Sequence, residues 1–249
     1  MPTFRPGDPA AVNDLFEQIA PRYDRLNDLL SLGLHRIWKR QAIAWLAPAP
    51  GQRLLDLCCG TGDLAMLMAV RVRPGGTVLG VDRAAAPLRL ARQRAARQPW
   101  LPLQWLQADA LATGLADASV DGAVMAYGLR NLADPAAGLA ELRRLLRPGG
   151  RAAVLDFNRS DSTGAAGRRT AALQRLLLRR LVVPVAAGAG LKEHYAYLEE
   201  SLERFPTGAG QEALARAAGF AVARHRPLAG GLMGLLQLQA PCGTQRATQ

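Results

Sequence analysis

The stretch Arg53-Leu-Leu-Asp56-Leu-Cys58-Cys59-Gly60-Thr61-Gly62-Asp63-Leu64 constrains this chain more than any other. Its first half is an apolar run too short for a helix, two glycines interrupt it, and a helical pattern resumes at Leu64. That order reads as strand, tight turn, helix. Glycines at 60 and 62 tolerate positive φ and put no Cβ between the backbone and a ligand, while the following helix opens with unpaired N–H groups. Such a turn is built to lie directly against a cofactor.

Charge narrows the choice of cofactor. Gly60-x-Gly62-x-x-Ala65 satisfies the loose dinucleotide pattern, yet Asp56 precedes the turn, Asp63 follows it, and Asp82 and Asp109 end the next two apolar runs. Like charges about 5 Å apart repel by roughly 3 kcal/mol at an effective dielectric near 20, so a pyrophosphate is poorly served among four carboxylates. A cofactor with a sulfonium, an ammonium and a ribose diol suits them, which points to S-adenosylmethionine. Asp82, at the end of the second strand, is placed for the ribose hydroxyls, and Asp109 for the adenine amino group. Gly60, Thr61 and Gly62 in the turn, with Asp56, Arg83 and Ala110 beside these acids, complete the cofactor side.

The remaining pattern predicts an α/β chain with a mostly parallel sheet. Helices are expected over 62–72, 87–97, 135–146 and 213–218, with a helix before the first strand in which Leu34, Ile37, Trp38 and Trp45 fall at helical spacing. Strands are expected over 77–81, 103–107, 120–125 and 152–157, and a closing pair over 220–225 and 231–238. Asp121, the single polar residue in a buried-strand pattern, is expected to bond a neighbouring loop. One domain is expected: N-terminal helices at 13–47, a cofactor core at 52–157, a helical insertion at 158–212 and closing strands at 220–239. Within the insertion, a helix over 168–183 carries Arg168, Arg175 and Arg179 on one stripe and Leu173, Leu177 and Leu181 opposite. Such a helix suits either a membrane interface or a cover over the site.

Composition bounds the partners. The net charge is +11, but all the basic residues except Lys39 and Lys192 are arginine, in an Ala-rich chain, which discounts the usual inference of nucleic acid. An anionic membrane surface is the preferred partner for the basic excess. Three cysteines give neither a disulfide framework nor metal-ligand spacing, and the N-terminal segment has no apolar signal region. The expectation is a cytoplasmic protein, peripheral at a membrane at most, with no metal; the oligomeric state is open, a homodimer included.

The flanking segments carry a family likeness. Glu17-Gln-Ile-Ala-Pro-Arg-Tyr23-Asp24-Arg-Leu-Asn27, Tyr127-Gly-Leu-Arg130-Asn131 and Glu203-Arg-Phe-Pro-Thr-Gly208, with the turn, resemble the ubiquinone/menaquinone-biosynthesis C-methyltransferases. Cys58-Cys59 and the segment from His194 to Glu203 look most like the members that act on a phytyl naphthoquinol. The resemblance implies a class I, Rossmann-like methyltransferase fold with a seven-stranded sheet. It also implies transfer of a methyl group to a ring carbon of a prenylated naphthoquinol, in phylloquinone synthesis or, alternatively, menaquinone or ubiquinone synthesis. By the same resemblance Tyr23 faces the cofactor from a lid, and Arg130 is catalytic. Ala126 stands where many relatives carry a serine, leaving only the backbone of Ala126 and Tyr127 to meet the cofactor.

The chemistry needs a ring carbon made nucleophilic by loss of a hydroxyl proton. Arg130 could hold the quinol oxygen, or else pair with an acid such as Glu141. Asn131 is placed to orient that oxygen or to cap the next helix. His194 is the candidate base, and His225, late in a strand, is expected to be structural. A nucleic-acid base methyltransferase would carry a Pro-Pro-aromatic motif where Ala126-Tyr127-Gly128 stands. A noncatalytic S-adenosylmethionine-binding protein would bind without turnover.

Overall fold

The apolar run Leu54, Leu55 and Leu57 is buried as strand β1 (Arg53–Leu57), and the glycine turn that ends it places Gly62 at φ +84° to start α2 (Asp63–Arg71). The computed structural model describes Asp14, Glu17, residues 33–159 and residues 200–243. Before β1 lies α1 (Leu34–Leu46); after α2 come β2 (Thr77–Asp82), α3 (Ala85–Ala96), β3 (Leu103–Gln107) and β4 (Val120–Ala126). A 3-10 turn at Leu129–Asn131 leads to α4 (Pro135–Leu145) and β5 (Leu146–Phe157). The chain then closes through α5 (Gly208–Ala217), β6 (Val222–Leu228) and β7 (Met233–Gln239).

These strands form one seven-stranded sheet in the order β3-β2-β1-β4-β5-β7-β6, with only β7 antiparallel to its neighbours. Side chains alternate across it. Leu54, Val78, Val124, Ala153 and Leu235 face α1 and α2; Leu55, Leu57, Val81, Met125, Leu236 and Leu238 face α4 and α5. The chain runs outward from β1 to β3 and then restarts beside β1 as β4. The carboxyl ends of β1 and β4 therefore frame the switch point where α/β sheets bind ligands.

Departures from the sequence reading are local. In α1 the buried stripe is His35, Lys39, Ala42, Ile43 and Leu46, while Leu34 and Ile37 point outward, 45% and 48% exposed. Helix α3 starts two residues early, because Glu17 supplies a cap that Ala84 lacks: its Oε1 accepts from the N–H of Ala85 and Ala86, the latter at 3.1 Å. Strand β5 begins at Leu146 rather than Ala152. Pairing with β4 runs Val120 to Leu146 and resumes at Gly122 to Arg151, so Pro148-Gly149-Gly150 bulges out within the strand. Helix α5 starts at Gly208, five residues early, where the Thr207 hydroxyl accepts from Gly210 N. Asp121 is bonded, but to strands rather than to a loop: its carboxylate accepts from Arg53 N at the start of β1 at 2.7 Å and pairs with Arg147 of β5. The amphipathic 168–183 helix lies outside the described residues. Among the described residues no helix is long and apolar enough to cross a membrane.

Candidate active site

Three carboxylates line the ends of β1, β2 and β3, and each is held by backbone amides. Asp56, buried on β1, accepts from Ala65 N at 2.8 Å in the first turn of α2. Asp82 accepts from Gly60 N at 2.7 Å and Ala84 N at 3.0 Å, tying the glycine turn to the end of β2. Asp109 accepts from Leu111 N at 2.9 Å and pairs with Arg83 at 3.1 Å, beside buried Ala110. Burial pushes the Asp56 carboxyl up to about 7 and raises Asp82, against the amides that favour their charged forms. Burial likewise raises Cys58 and Cys59, keeping both as thiols.

The fourth acid of the sequence reading does not join them. Asp63 turns to Lys39 (2.9 Å) on α1 and Arg94 (2.6 Å) on α3. Burial alone would raise its carboxyl, but the two cations override that and hold it at about 2. Arg94 also donates to the Thr61 carbonyl (3.1 Å) and hydroxyl (3.0 Å), so the Thr61 side chain serves the scaffold of the turn. From beneath, the Trp105 indole packs across β2 and the turn: a methyl added at Gly62 or Gly80 would lie 2.4 Å from its ring. Gly60, in contrast, has φ +53° and open space where a side chain would be. Glu17, Lys39, Arg94 and Trp105 were not among the sequence candidates. Their effect comes from contacts between distant elements, which spacing along the chain does not signal.

The second half of the site lies at the ends of β4 and β5. Tyr127 follows β4 with φ +60°; its N–H donates to Leu155 O at 2.7 Å and its carbonyl accepts from Asn131 Nδ2 at 2.7 Å. The Tyr127 N–H is thus spent within the sheet and is not free for a cofactor, contrary to the sequence reading. Asn131 does not cap α4 either; Asp134 does, accepting from Ala136 N at 2.8 Å and Ala137 N at 3.1 Å. The Arg130 side chain is buried, and its partner is not Glu141, which pairs with Arg144 at 2.7 Å. Its partner is Asp156 on β5: Nε lies 3.0 Å from Oδ1, an ionic contact rather than an aligned hydrogen bond, and Arg130 N donates to Oδ2 at 3.1 Å. Nη1 donates to Asn131 Oδ1 at 2.6 Å and Ser201 Oγ at 3.3 Å, and the guanidinium stands 5.3 Å from the centre of the Phe157 ring. Nη2 makes no hydrogen bond among the described residues.

Asp156 is the chief residue missed by sequence reading. Its signal, an acid between Leu155 and Phe157 at the end of a buried strand, is the same kind that marked Asp82. His225 packs into the fold away from the glycine turn, between α5 and β7. Its ring is wedged between Gly208 and Gly234, where added methyls would lie 2.4 and 2.2 Å from Nδ1 and Nε2. Burial lowers its pKa, and its backbone N–H donates to Glu212 Oε1 at 2.7 Å. Tyr23 and His194 lie outside the described residues.

The cofactor side fits a cationic, phosphate-free ligand. Among the described residues Asp82 accepts from backbone N–H groups beside the open face of Gly60, and Lys39, Arg94 and Arg83 are paired with acids. A glycine turn at a β1/β4 switch point, rimmed by acids on a sheet with one antiparallel strand, defines a Rossmann-like methyltransferase whose methyl donor is S-adenosylmethionine. Residues 6–237 match the ubiE/COQ5 methyltransferase family, and the chain belongs to that family. It is 49% identical over 226 residues to a protein of Nostoc punctiforme named 2-phytyl-1,4-naphthoquinone methyltransferase, covering 90% of this chain and 96% of that one. A chloroplastic protein of Arabidopsis thaliana, named 2-phytyl-1,4-beta-naphthoquinone methyltransferase, is 42% identical over 225 residues, 89% of this chain and 84% of its own. The fold is shared with a putative methyltransferase from Haloferax volcanii solved with the activator Trm112 (TM-score 0.64, 18% identity, 91% and 97% of the two chains). It is also shared with an Aquifex aeolicus SAM-dependent methyltransferase (TM-score 0.59, 16% identity, 81% and 88%).

Proposed function

We propose that this chain methylates a ring carbon of a demethylated prenyl naphthoquinol, with 2-phytyl-1,4-naphthoquinol as acceptor, in the last step of phylloquinone synthesis. The acceptor class is supported by the names of relatives 42–49% identical over about nine-tenths of the chain. The observation that carries the chemistry is Arg130: a guanidinium with a buried side chain, hydrogen-bonded at Nη1 and lying against Asp156 at Nε, whose Nη2 makes no hydrogen bond among the described residues at the β4 end of the crevice.

When bound, S-adenosylmethionine supplies an electrophilic methyl group. In this reading Asp82 accepts from the ribose hydroxyls, Asp109 from the adenine amino group, and Gly60 lets the backbone approach closely. The acceptor's hydroxyl would lose its proton to water, its ring carbon would take the methyl as the S–CH3 bond breaks and the neutral thioether leaves, and the proton on that carbon would pass to water once the new C–C bond has formed. Arg130 donates from Nη2 to the oxygen on which negative charge grows, in a site where a fixed donor is worth more than in water. Asn131 holds Nη1, and the Tyr127 and Phe157 rings, 5.8 Å apart, offer apolar surface to an aromatic acceptor. The basic excess of the chain, net +11, favours docking on the anionic bilayer that dissolves such an acceptor.

The test is methyl transfer from labelled S-adenosylmethionine to reduced demethylphylloquinone, demethylmenaquinone and a demethylated benzoquinol, with product identification. Phytyl naphthoquinol is expected to give the highest kcat/KM. A preference for the benzoquinol would overturn the acceptor assignment, and cofactor binding without any turnover would overturn the enzymatic one.

A further inference from the structure

We propose that Asp156 is a positioning residue for the reaction assigned above, fixing the Arg130 guanidinium so that Nη2 alone faces the acceptor. The inference rests on that reading of Arg130. Asp156 is the penultimate residue of β5, 2% exposed in its side chain, and Arg130 is 7% exposed, so neither charge is solvated. One carboxylate grips the arginine twice, at the backbone N–H through Oδ2 (3.1 Å) and at Nε beside Oδ1 (3.0 Å). Its own orientation is set by Phe157 N, which donates to Oδ1 at 2.8 Å.

The consequence is geometric. With its backbone hydrogen-bonded to the same carboxylate that attracts its Nε, the arginine keeps its side chain against Asp156. Asn131 Oδ1 and Ser201 Oγ then engage Nη1, and the Phe157 ring centre lies 5.3 Å from the guanidinium carbon, so among the described residues Nη2 is the donor left without a partner. Asp156 also cancels the charge of Arg130. The pair is close to neutral before reaction, and the field of the guanidinium is felt most by an oxygen that gains charge during it. A buried ion pair is a weak device for stability compared with apolar packing, so its presence at the crevice calls for another role.

The experiment is a double-mutant cycle on the full chain with Arg130→Ala, Asp156→Asn and both together. Each variant is assayed with reduced demethylphylloquinone, and cofactor affinity and melting temperature are measured in parallel. Asp156→Asn keeps the shape and one oxygen acceptor but removes the charge. It is expected to lower kcat by about 10-fold to 100-fold, less than the loss expected when the donor itself is removed, with KM and cofactor Kd within about twofold of wild type. In the Arg130→Ala background the same change should cost less than about twofold, because Asp156 acts through Arg130. If Asp156→Asn does not fold, Asp156→Glu decides: the charge is kept but the arm lengthens, and kcat should fall at unchanged KM. A wild-type kcat in whichever of these two variants decides the question, or additive losses in the double variant, would overturn the inference. The two readings fail differently. Loss of rate in Arg130→Ala with none in Asp156→Asn sinks the positioning role alone, whereas a wild-type rate in Arg130→Ala sinks both.

Discussion

The two halves of the crevice handle buried charge in opposite ways. At the ends of β1 and β2, Asp56 and Asp82 are held by backbone N–H groups, at 2.8 Å from Ala65 N and 2.7 Å from Gly60 N. Among the described residues no cation pairs with them, and burial leaves their carboxyls raised, as it does that of Asp156. At the ends of β4 and β5, Arg130 and Asp156 neutralise each other at 3.0 Å. Amide-held acids keep negative potential available for a cationic ligand that arrives from solvent. A neutral pair releases its field only where a new charge forms. The first half is therefore suited to binding and the second to turnover, and substitutions should separate the two.

The largest effect is expected at the second half. Arg130→Ala should lower kcat and kcat/KM together by about 100-fold to 1000-fold, about 2.7–4 kcal/mol, with cofactor affinity near wild type by calorimetry. Arg130→Lys should recover only part of the rate, since an ammonium lacks the planar fork that Asp156 and Asn131 grip. On the first half, Asp82→Ala should weaken S-adenosylmethionine binding by about 1.5–3 kcal/mol while kcat at saturating cofactor changes far less. Calorimetry and saturation kinetics together check the split, and equal losses in both variants would erase the distinction.

Smaller effects probe the scaffold under the glycine turn. Gly62→Ala forces a side chain at φ +84° into the Trp105 ring, 2.4 Å away, and should destabilise the protein by about 1–3 kcal/mol in denaturant melts. Glu17→Ala removes the cap of α3 and should cost about 0.5–2 kcal/mol, visible as a lower melting temperature, with a modest loss of cofactor affinity because α3 begins just after Asp82. Unchanged melting in Glu17→Ala would show that α3 needs no cap from the N-terminal segment.

The sheet was legible because its signals are local. Leu54 to Leu57 and Thr77 to Val81 are short, mainly apolar runs near glycines, Leu103 to Gln107 is a short mixed run after Pro102, and each forms the strand expected. What escaped was set by distant contacts. Helix α3 opens at Ala85 because Glu17, 68 residues upstream, caps it. The bulge that extends β5 is fixed by pairing with β4 across Val120 and Gly122. In α1 the apolar spacing of Leu34 and Ile37 pointed to the core, yet the buried face carries His35 and Lys39, the latter drawn inward by Asp63. In the site, Asp82 could be read from its place after a strand, and Arg130 from a family likeness. Its partner could not: Glu141 was as close in sequence as Asp156 was far, and only the adjacency of β4 and β5 brings Asp156 to 3.0 Å.

The account stands or falls on charge growing at a ring oxygen, which only a reduced acceptor can supply. The direct measurement is the initial rate of methyl transfer to demethylphylloquinone held fully reduced and held fully oxidised, at equal cofactor saturation. Methylation of the quinol, with a negligible rate for the quinone, is the predicted result. Equal rates for the two would contradict it and remove the role given to Arg130.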